Sequence, residues 1–202
     1  LAEVEHFDEV LEGIEQAAKT FAGPLKINAV LLRGLNDAEA PAFAELARRD
    51  GHTVRFIEYM PLDADETWSR SSLVTGTEIR ERIDEHLGAG ARLIEDPSRD
   101  ERAPSSDYVF SDGAPGKIGF INSVSEPFCE HCNRIRITAE GKLRTCLFSQ
   151  DETDLAALLR GGARDEEIAA AVRAAVHDKE PGHRINEPDF TRANRSMSQI
   201  GG

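Results

Sequence analysis

Three cysteines confined to eighteen positions, Cys129, Cys132 and Cys146, constrain this chain more than any other feature. The first two bound a C-x-x-C turn in the run Phe128-Cys129-Glu130-His131-Cys132-Asn133-Arg134-Ile135-Arg136, and thirteen residues separate Cys132 from Cys146. An odd number in 202 residues is too few for a disulfide framework and points to a metal site or to free thiols. A C-x-x-C turn brings two thiolates onto one metal, and a hairpin returning beside it can deliver a third from the far strand. On an iron–sulfur cluster, three thiolates leave one iron open to a substrate. Structural zinc is the competing reading; it needs a fourth ligand, and His131, inside the turn, reaches the same ion awkwardly. A thioredoxin-like redox pair fits less well, because this C-x-x-C precedes an extended run carrying arginines instead of opening a helix.

Charge points to an anionic ligand beside the thiols. The whole chain has 24 Lys and Arg against 37 Asp and Glu, a formal net charge of −13. That sign is wrong for wrapping duplex DNA or coating an anionic membrane, so neither nucleic acid nor membrane is an expected partner. Between residues 117 and 150 the balance reverses: Lys117, Arg134, Arg136, Lys142 and Arg144 face only Glu126, Glu130 and Glu140. On a strand Arg134 and Arg136 would share one face, and two guanidinium forks side by side suit a phosphate group. There is no apolar run of the roughly 18 residues a membrane span needs, nor a signal-peptide pattern, so a cytoplasmic chain is expected.

The rest of the pattern predicts an α/β protein. Phe7, Leu11, Ile14, Ala18 and Phe21 mark a helix stopped by Gly23-Pro24. Residues 25–32 read as a mostly apolar strand interrupted on a single face by Lys26 and Asn28. Asn36 is a candidate N-cap with Glu39 three residues on, Gly51 closes that helix, and residues 53–59 form the next strand. In that strand Arg55 and, just beyond it, Met60 approach the C-terminal end where ligands of α/β proteins gather. Thr75 and Glu78 make a capping box with Val74 and Ile79 as its hydrophobic staple, for a helix ending near Gly88. From residue 89 a Pro-, Ser- and Asp-rich texture predicts a boundary or linker, giving domains over 1–88 and 89–202. Short strands are expected at 108–110 and 118–121, a hairpin over 134–147, two helices around Leu155 and Ile168, and an irregular tail from Pro181.

The segment 128–148 resembles the C-terminal cluster motif of the molybdenum cofactor biosynthesis protein A family, radical S-adenosylmethionine enzymes that act as GTP 3′,8-cyclases. Lys26-Ile27-Asn28, Gly34-Leu35-Asn36, Arg55-Phe56-Ile57-Glu58-Tyr59-Met60-Pro61, Trp68 and the ending Met197-Ser198-Gln199-Ile200-Gly201-Gly202 are similar to it in the same order. The resemblance implies the C-terminal part of a partial (β/α)6 barrel over 1–88, followed by a smaller α+β auxiliary-cluster and GTP-binding domain over 89–202. It implies a [4Fe-4S] cluster on Cys129, Cys132 and Cys146 whose open iron takes the guanine. Lys26, Arg134, Ile135, Arg136, Gly201 and Gly202 would contact GTP, and Met60, with Asn28 and Arg55, would lie against S-adenosylmethionine. A second [4Fe-4S] cluster, which cleaves S-adenosylmethionine, would need three further cysteines that this sequence lacks. The resemblance therefore implies a fragment whose N-terminal barrel portion is missing, inactive alone, with GTP, that missing portion and a second copy in a homodimer as partners. The alternative is a metal-stabilised nucleotide-binding module without catalysis of its own.

Overall fold

The computed structural model describes residues 7–62, 68–100, 103–193 and 195–199. The chain divides into two compact units, Leu1–Glu58 with Val74–Ile121 and Tyr59–Leu73 with Asn122–Gly202. This division differs from the one expected at residue 88. The Pro- and Ser-rich stretch carries the turns of a meander that completes the first unit's sheet.

The first unit comprises α1 (Phe7–Thr20), β1 (Lys26–Ala29), α2 (Ala40–Asp50), β2 (Thr53–Ile57), α3 (Gly76–Leu87), β3 (Leu93–Glu95), β4 (Ser106–Phe110) and β5 (Lys117–Ile121). The sheet runs β1-β2-β5-β4-β3, with β1, β2 and β5 parallel and β4 and β3 added antiparallel. Strand β3 is absent from the sequence pattern because it offers only three residues, one of them buried. Alternation sorts the two sheet faces. Ile27, Ala29, Val54, Phe56, Tyr108, Ile118 and Phe120 pack with Ala44 and Ala47 of α2 and Ile79 and Ile83 of α3. Helices thus cover that face, and Phe56 stacks on Phe120 with ring centroids 6.0 Å apart. The capping box is formed: Glu78 N–H donates to Thr75 Oγ1, and Thr75 N–H to Glu78 Oε2.

One expectation changes. Asn36 does not cap a helix with its side chain; its amide bridges the chain leaving β1, accepting from Leu32 N–H at 2.7 Å and donating to Val30 carbonyl at 3.1 Å. A short 3-10 turn, Asp37–Glu39, and then Pro41 in the first turn start α2 instead. Helix α1 forms as expected, yet none of its residues is buried, and Phe7 is 68% exposed.

The second unit holds β6 (Arg136–Ile137), β7 (Lys142–Arg144), β8 (Thr153–Asp154), α4 (Leu155–Arg160) and α5 (Asp165–His177). The expected hairpin is present but short, pairing Arg136 with Arg144 and Ile137 with Leu143, and β8 adds to its far edge. At its turn Gly141 has φ +82°, and a side chain there would also strike Ala156 Cβ. The tail from Pro181 is irregular but packed: Ile185 is buried with Val124 and Phe148, and Phe190, Ala193 and Met197 lean on the same cluster. Arg144 is fully buried and donates to Glu152 Oε1 at 2.6 Å and to the carbonyls of Leu147 and Ser149. Arg195 grips the same carboxylate at 2.6 and 3.0 Å.

Hydrogen bonds from Arg195 and then Arg144 outweigh the burial that opposes them and bring the Glu152 carboxyl down to about 2. Its stabilising contribution is complete above its ordinary value of 4.5 and is lost as pH falls from there toward 2. Glu152→Gln is expected to cost about 3 kcal/mol at neutral pH, because two guanidiniums lose a shared, largely buried carboxylate. It should also flatten this part of the acid dependence, read from denaturant unfolding followed by Trp68, the chain's only tryptophan.

Candidate functional site

The C-x-x-C segment forms a single 3-10 turn, Cys129–His131, closed by Cys132 N–H donating to the Cys129 carbonyl at 3.1 Å. The three cysteines are half-buried and free of disulfides. Burial alone would raise the Cys132 thiol. Hydrogen bonds from the Arg134 backbone and guanidinium and from Lys179 win and lower it. Cys146 behaves in the opposite way: burial pushes its thiol up, and the charges of Cys129 and Cys132 push the same way. The hairpin therefore brings the third thiol within electrostatic reach of the first two. Among the described residues, no three His, Cys, Asp or Glu side chains are grouped so as to hold a metal ion.

The two arginines stand beside these thiols, although not as one strand face, since β6 begins only at Arg136. The Arg134 guanidinium lies 4.8 Å over the Phe128 ring and also reaches the Cys132 sulfur. Arg136 is held below its usual range, first by burial and then by the Arg134 charge, with Cys146 and Cys132 pulling the other way. Two guanidiniums crowded in this manner make an added anion favourable. Ile135, between them, is 44% exposed.

Other cations of the basic stretch have different work. Lys117 belongs to the first unit and pairs with Asp96, whose carboxyl it brings down to about 2 with help from Ser98. Arg144 is consumed by Glu152. Lys142 also lies near that carboxylate, at 3.5 Å. In their place comes Lys179, which the sequence pattern did not single out. Its ammonium donates to the Cys132 carbonyl at 2.9 Å, the Arg134 carbonyl at 2.8 Å and the Cys132 sulfur at 3.3 Å.

In the first unit, Lys26 and Asn28 do share a face, the one opposite the helices. One row of strand register runs Asn28, Arg55, Gly119, Asp107 across β1, β2, β5 and β4, and the next joins Lys26, Thr53 and Lys117. Arg55 lies 3.8 Å from Asp107, which accepts from Ser105 Oγ. Gly119 makes room for this trio: a Cβ there would come within 3.0 Å of Ser105 Oγ, Asp107 Oδ1 and Arg55 Cγ. A lysine and an arginine are tolerated in a parallel sheet here because only one face is covered by helices.

Met60, in the second unit, packs half-buried against the cluster of Leu62, Leu73 and Phe148. Gly201 and Gly202 lie outside the described residues. A cleft of about 450 Å³ in the second unit is lined by Asp151, Glu152, Asp178 and Glu180, the wrong sign for a phosphate, and by none of the expected contacts. No helix among the described residues is long and apolar enough to cross a membrane.

Fold and site together define a mixed α/β protein: one unit with a polar sheet face, another built around a three-thiol loop and hairpin edged by arginines. The chain belongs to the Molybdenum Cofactor Synthesis C family, which matches residues 52–185. It is 43% identical to the GTP 3′,8-cyclase of Paenarthrobacter nicotinovorans, over 96% of this chain and 58% of that protein. To the GTP 3′,8-cyclase of Rhodococcus opacus (strain B4) it is 44% identical, over 96% and 53%, and to that of Thermodesulfovibrio yellowstonii 37%, over 96% and 58%. The chain thus spans little more than half the length of these curated relatives.

The row through Gly119 yields a test. Gly119→Ala should destabilise the first unit by about 1–3 kcal/mol, because Arg55, Asp107 and Ser105 must all shift to admit a methyl group. An unchanged urea midpoint, followed by far-ultraviolet circular dichroism, would show that the trio is not packed as described.

Proposed function

We propose that this chain is the C-terminal part of a GTP 3′,8-cyclase of molybdenum cofactor biosynthesis. In this reading the first unit is a segment of a partial (β/α)6 radical S-adenosylmethionine barrel and the second an auxiliary-cluster domain that binds GTP. One observation carries it: three thiols free of disulfides and two crowded guanidiniums occupy one loop and hairpin. Family membership over residues 52–185 and relatives bearing that activity support it.

Three cysteines in this spacing are the donor type a [4Fe-4S] cluster takes, although among the described residues their sulfurs are not gathered into a metal-holding group. Cys129, Cys132 and Cys146 would hold the cluster, and the N–H groups and cations around Cys132 favour a thiolate ligand of an anionic group. When bound, such a cluster supplies an iron with an open position for the guanine of the nucleotide. The chain's own part is to bind and orient. Arg134 and Arg136 would take the phosphates, and Ile135 offers exposed apolar surface between them; for Lys26, in the first unit, a GTP contact rests on the family resemblance alone. Gly201 and Gly202 would complete the GTP site. Met60, with Asn28 and Arg55 from the same polar row, would border S-adenosylmethionine. Cleaving that cofactor would call for a second cluster, and this sequence has no further cysteines to hold one. Alone, the chain is expected to bind nucleotide without turning it over.

Arg136→Ala is expected to weaken GTP binding to the anaerobically reconstituted chain by about 1.5–3 kcal/mol while leaving the iron content unchanged. Arg134→Ala should weaken it too, and should also alter the electron paramagnetic resonance signal, because that guanidinium touches the Cys132 sulfur. Titration calorimetry with matched iron analysis checks both. Parental GTP affinity in both variants would remove the arginines from the site.

A further inference from the structure

Lys179 lies 47 residues along the chain from Cys132, and it enters the thiol loop only through the fold. It follows directly on the end of α5, with its own N–H donating to the Val176 carbonyl at 3.3 Å. Helix α5 packs on β7 and β8, so the lysine leaves the end of a helix that lies against the hairpin sheet carrying the chain toward Cys146. The ammonium has three N–H groups. Three acceptors surround it: the Cys132 carbonyl, the Arg134 carbonyl and the Cys132 sulfur, at 2.9, 2.8 and 3.3 Å. Among the described residues, no carboxylate is paired with it. A cation held by two carbonyls and a sulfur, with no carboxylate counterion, is placed to be neutralised by negative charge on that sulfur and on whatever the sulfur ligates.

We propose that Lys179 is a positioning residue for the metal group: it fixes the spacing between the Cys132 ligand and the Arg134–Arg136 segment, and its N–H···S bond raises the group's reduction potential. The inference rests on the reading above that the three cysteines hold an iron–sulfur cluster. Two features of the geometry separate it from a plain structural tie. The two carbonyl bonds brace the backbone on both sides of Asn133, the short link between ligand and arginines, so their loss should be felt in anion binding. The bond to sulfur places a full positive charge beside a ligand. Such bonds and charges are among the factors that set a cluster's potential. Methionine keeps the length and apolar stem of lysine but neither the charge nor the donors. Glutamine keeps one amide donor group without charge. Arginine keeps the charge but spreads its donors over a planar fork, which does not match three acceptors gathered around one nitrogen.

The test uses the chain reconstituted anaerobically with iron and sulfide, as parent, Lys179→Met, Lys179→Gln and Lys179→Arg. Redox titration followed by electron paramagnetic resonance reads the midpoint potential, and calorimetry reads the affinity for GTP. Lys179→Met is expected to load iron like the parent and to shift the midpoint negative by about tenfold in the oxidised-to-reduced ratio, roughly 59 mV for one electron. It should also bind GTP several-fold more weakly. Should that variant fail to fold, Lys179→Gln, which retains an amide donor, is expected to fold and to show the negative shift. Lys179→Arg is expected to keep the potential near that of the parent while still losing GTP affinity. A loaded parent, with Met and Gln variants of unchanged potential and GTP affinity, overturns the role of Lys179 alone. A parent that takes up zinc or no metal overturns the cluster reading, and this inference with it.

Discussion

Around the thiols, the geometry follows from the register of one short hairpin. With Arg136 opposite Arg144, the strand leaving the C-x-x-C turn runs antiparallel to the strand leading to Cys146, so the third thiol returns toward the first two. A slip of one residue would turn every side chain to the other face. Arg144 opposes it, because its fully buried guanidinium meets Glu152 and the Leu147 and Ser149 carbonyls in this register. Glu152 is shared with Arg195 from the tail, which draws the C-terminal segment into the same lock. Like charges directly opposite one another in a hairpin repel. One of this pair is neutralised by Glu152; the other, Arg136, stands near the Cys132 and Cys146 sulfurs.

The first unit obeys a different constraint: among the described residues, α2 and α3 pack on one side of its sheet. The apolar alternates Ile27, Val54, Phe56, Ile118 and Phe120 meet α2 and α3. The other side is free to carry Asn28, Arg55 and Asp107 in one row and Lys26 in the next. Gly119 is part of that arrangement, since the row closes over the place where its side chain would stand. This polar row crosses four strands and is held by the same register that builds the core beneath it.

Much of this is legible in the sequence wherever the signal is local. Period-2 alternation shows Lys26 and Asn28 on one face, the Thr75–Glu78 box marks α3, Gly51 and Gly88 end their helices, and Cys132 and Cys146 straddle a hairpin. Other features are invisible because they depend on residues far apart. Arg144 reads as one more cation of a basic stretch until Glu152, itself held by Arg195, closes on it. Lys117 reads the same way until Asp96, twenty-one residues earlier, claims it. Lys179 gives no local sign, because both carbonyls and the sulfur it bonds come from the distant thiol loop. The compact units differ from the boundary expected near residue 88 for a related reason: Pro and Ser mark turns equally well in a linker and in a meander, and only the pairing of β4 with β5 distinguishes them.

The central claim is that the three thiols hold an iron–sulfur cluster that meets a nucleotide. Iron, sulfide and zinc analysis of the chain purified without oxygen, with electron paramagnetic resonance of the reduced sample before and after GTP, tests it most directly. The account predicts about four irons and four sulfides per chain and a spectrum that changes when GTP is added. One zinc per chain, with no response to GTP, would contradict it.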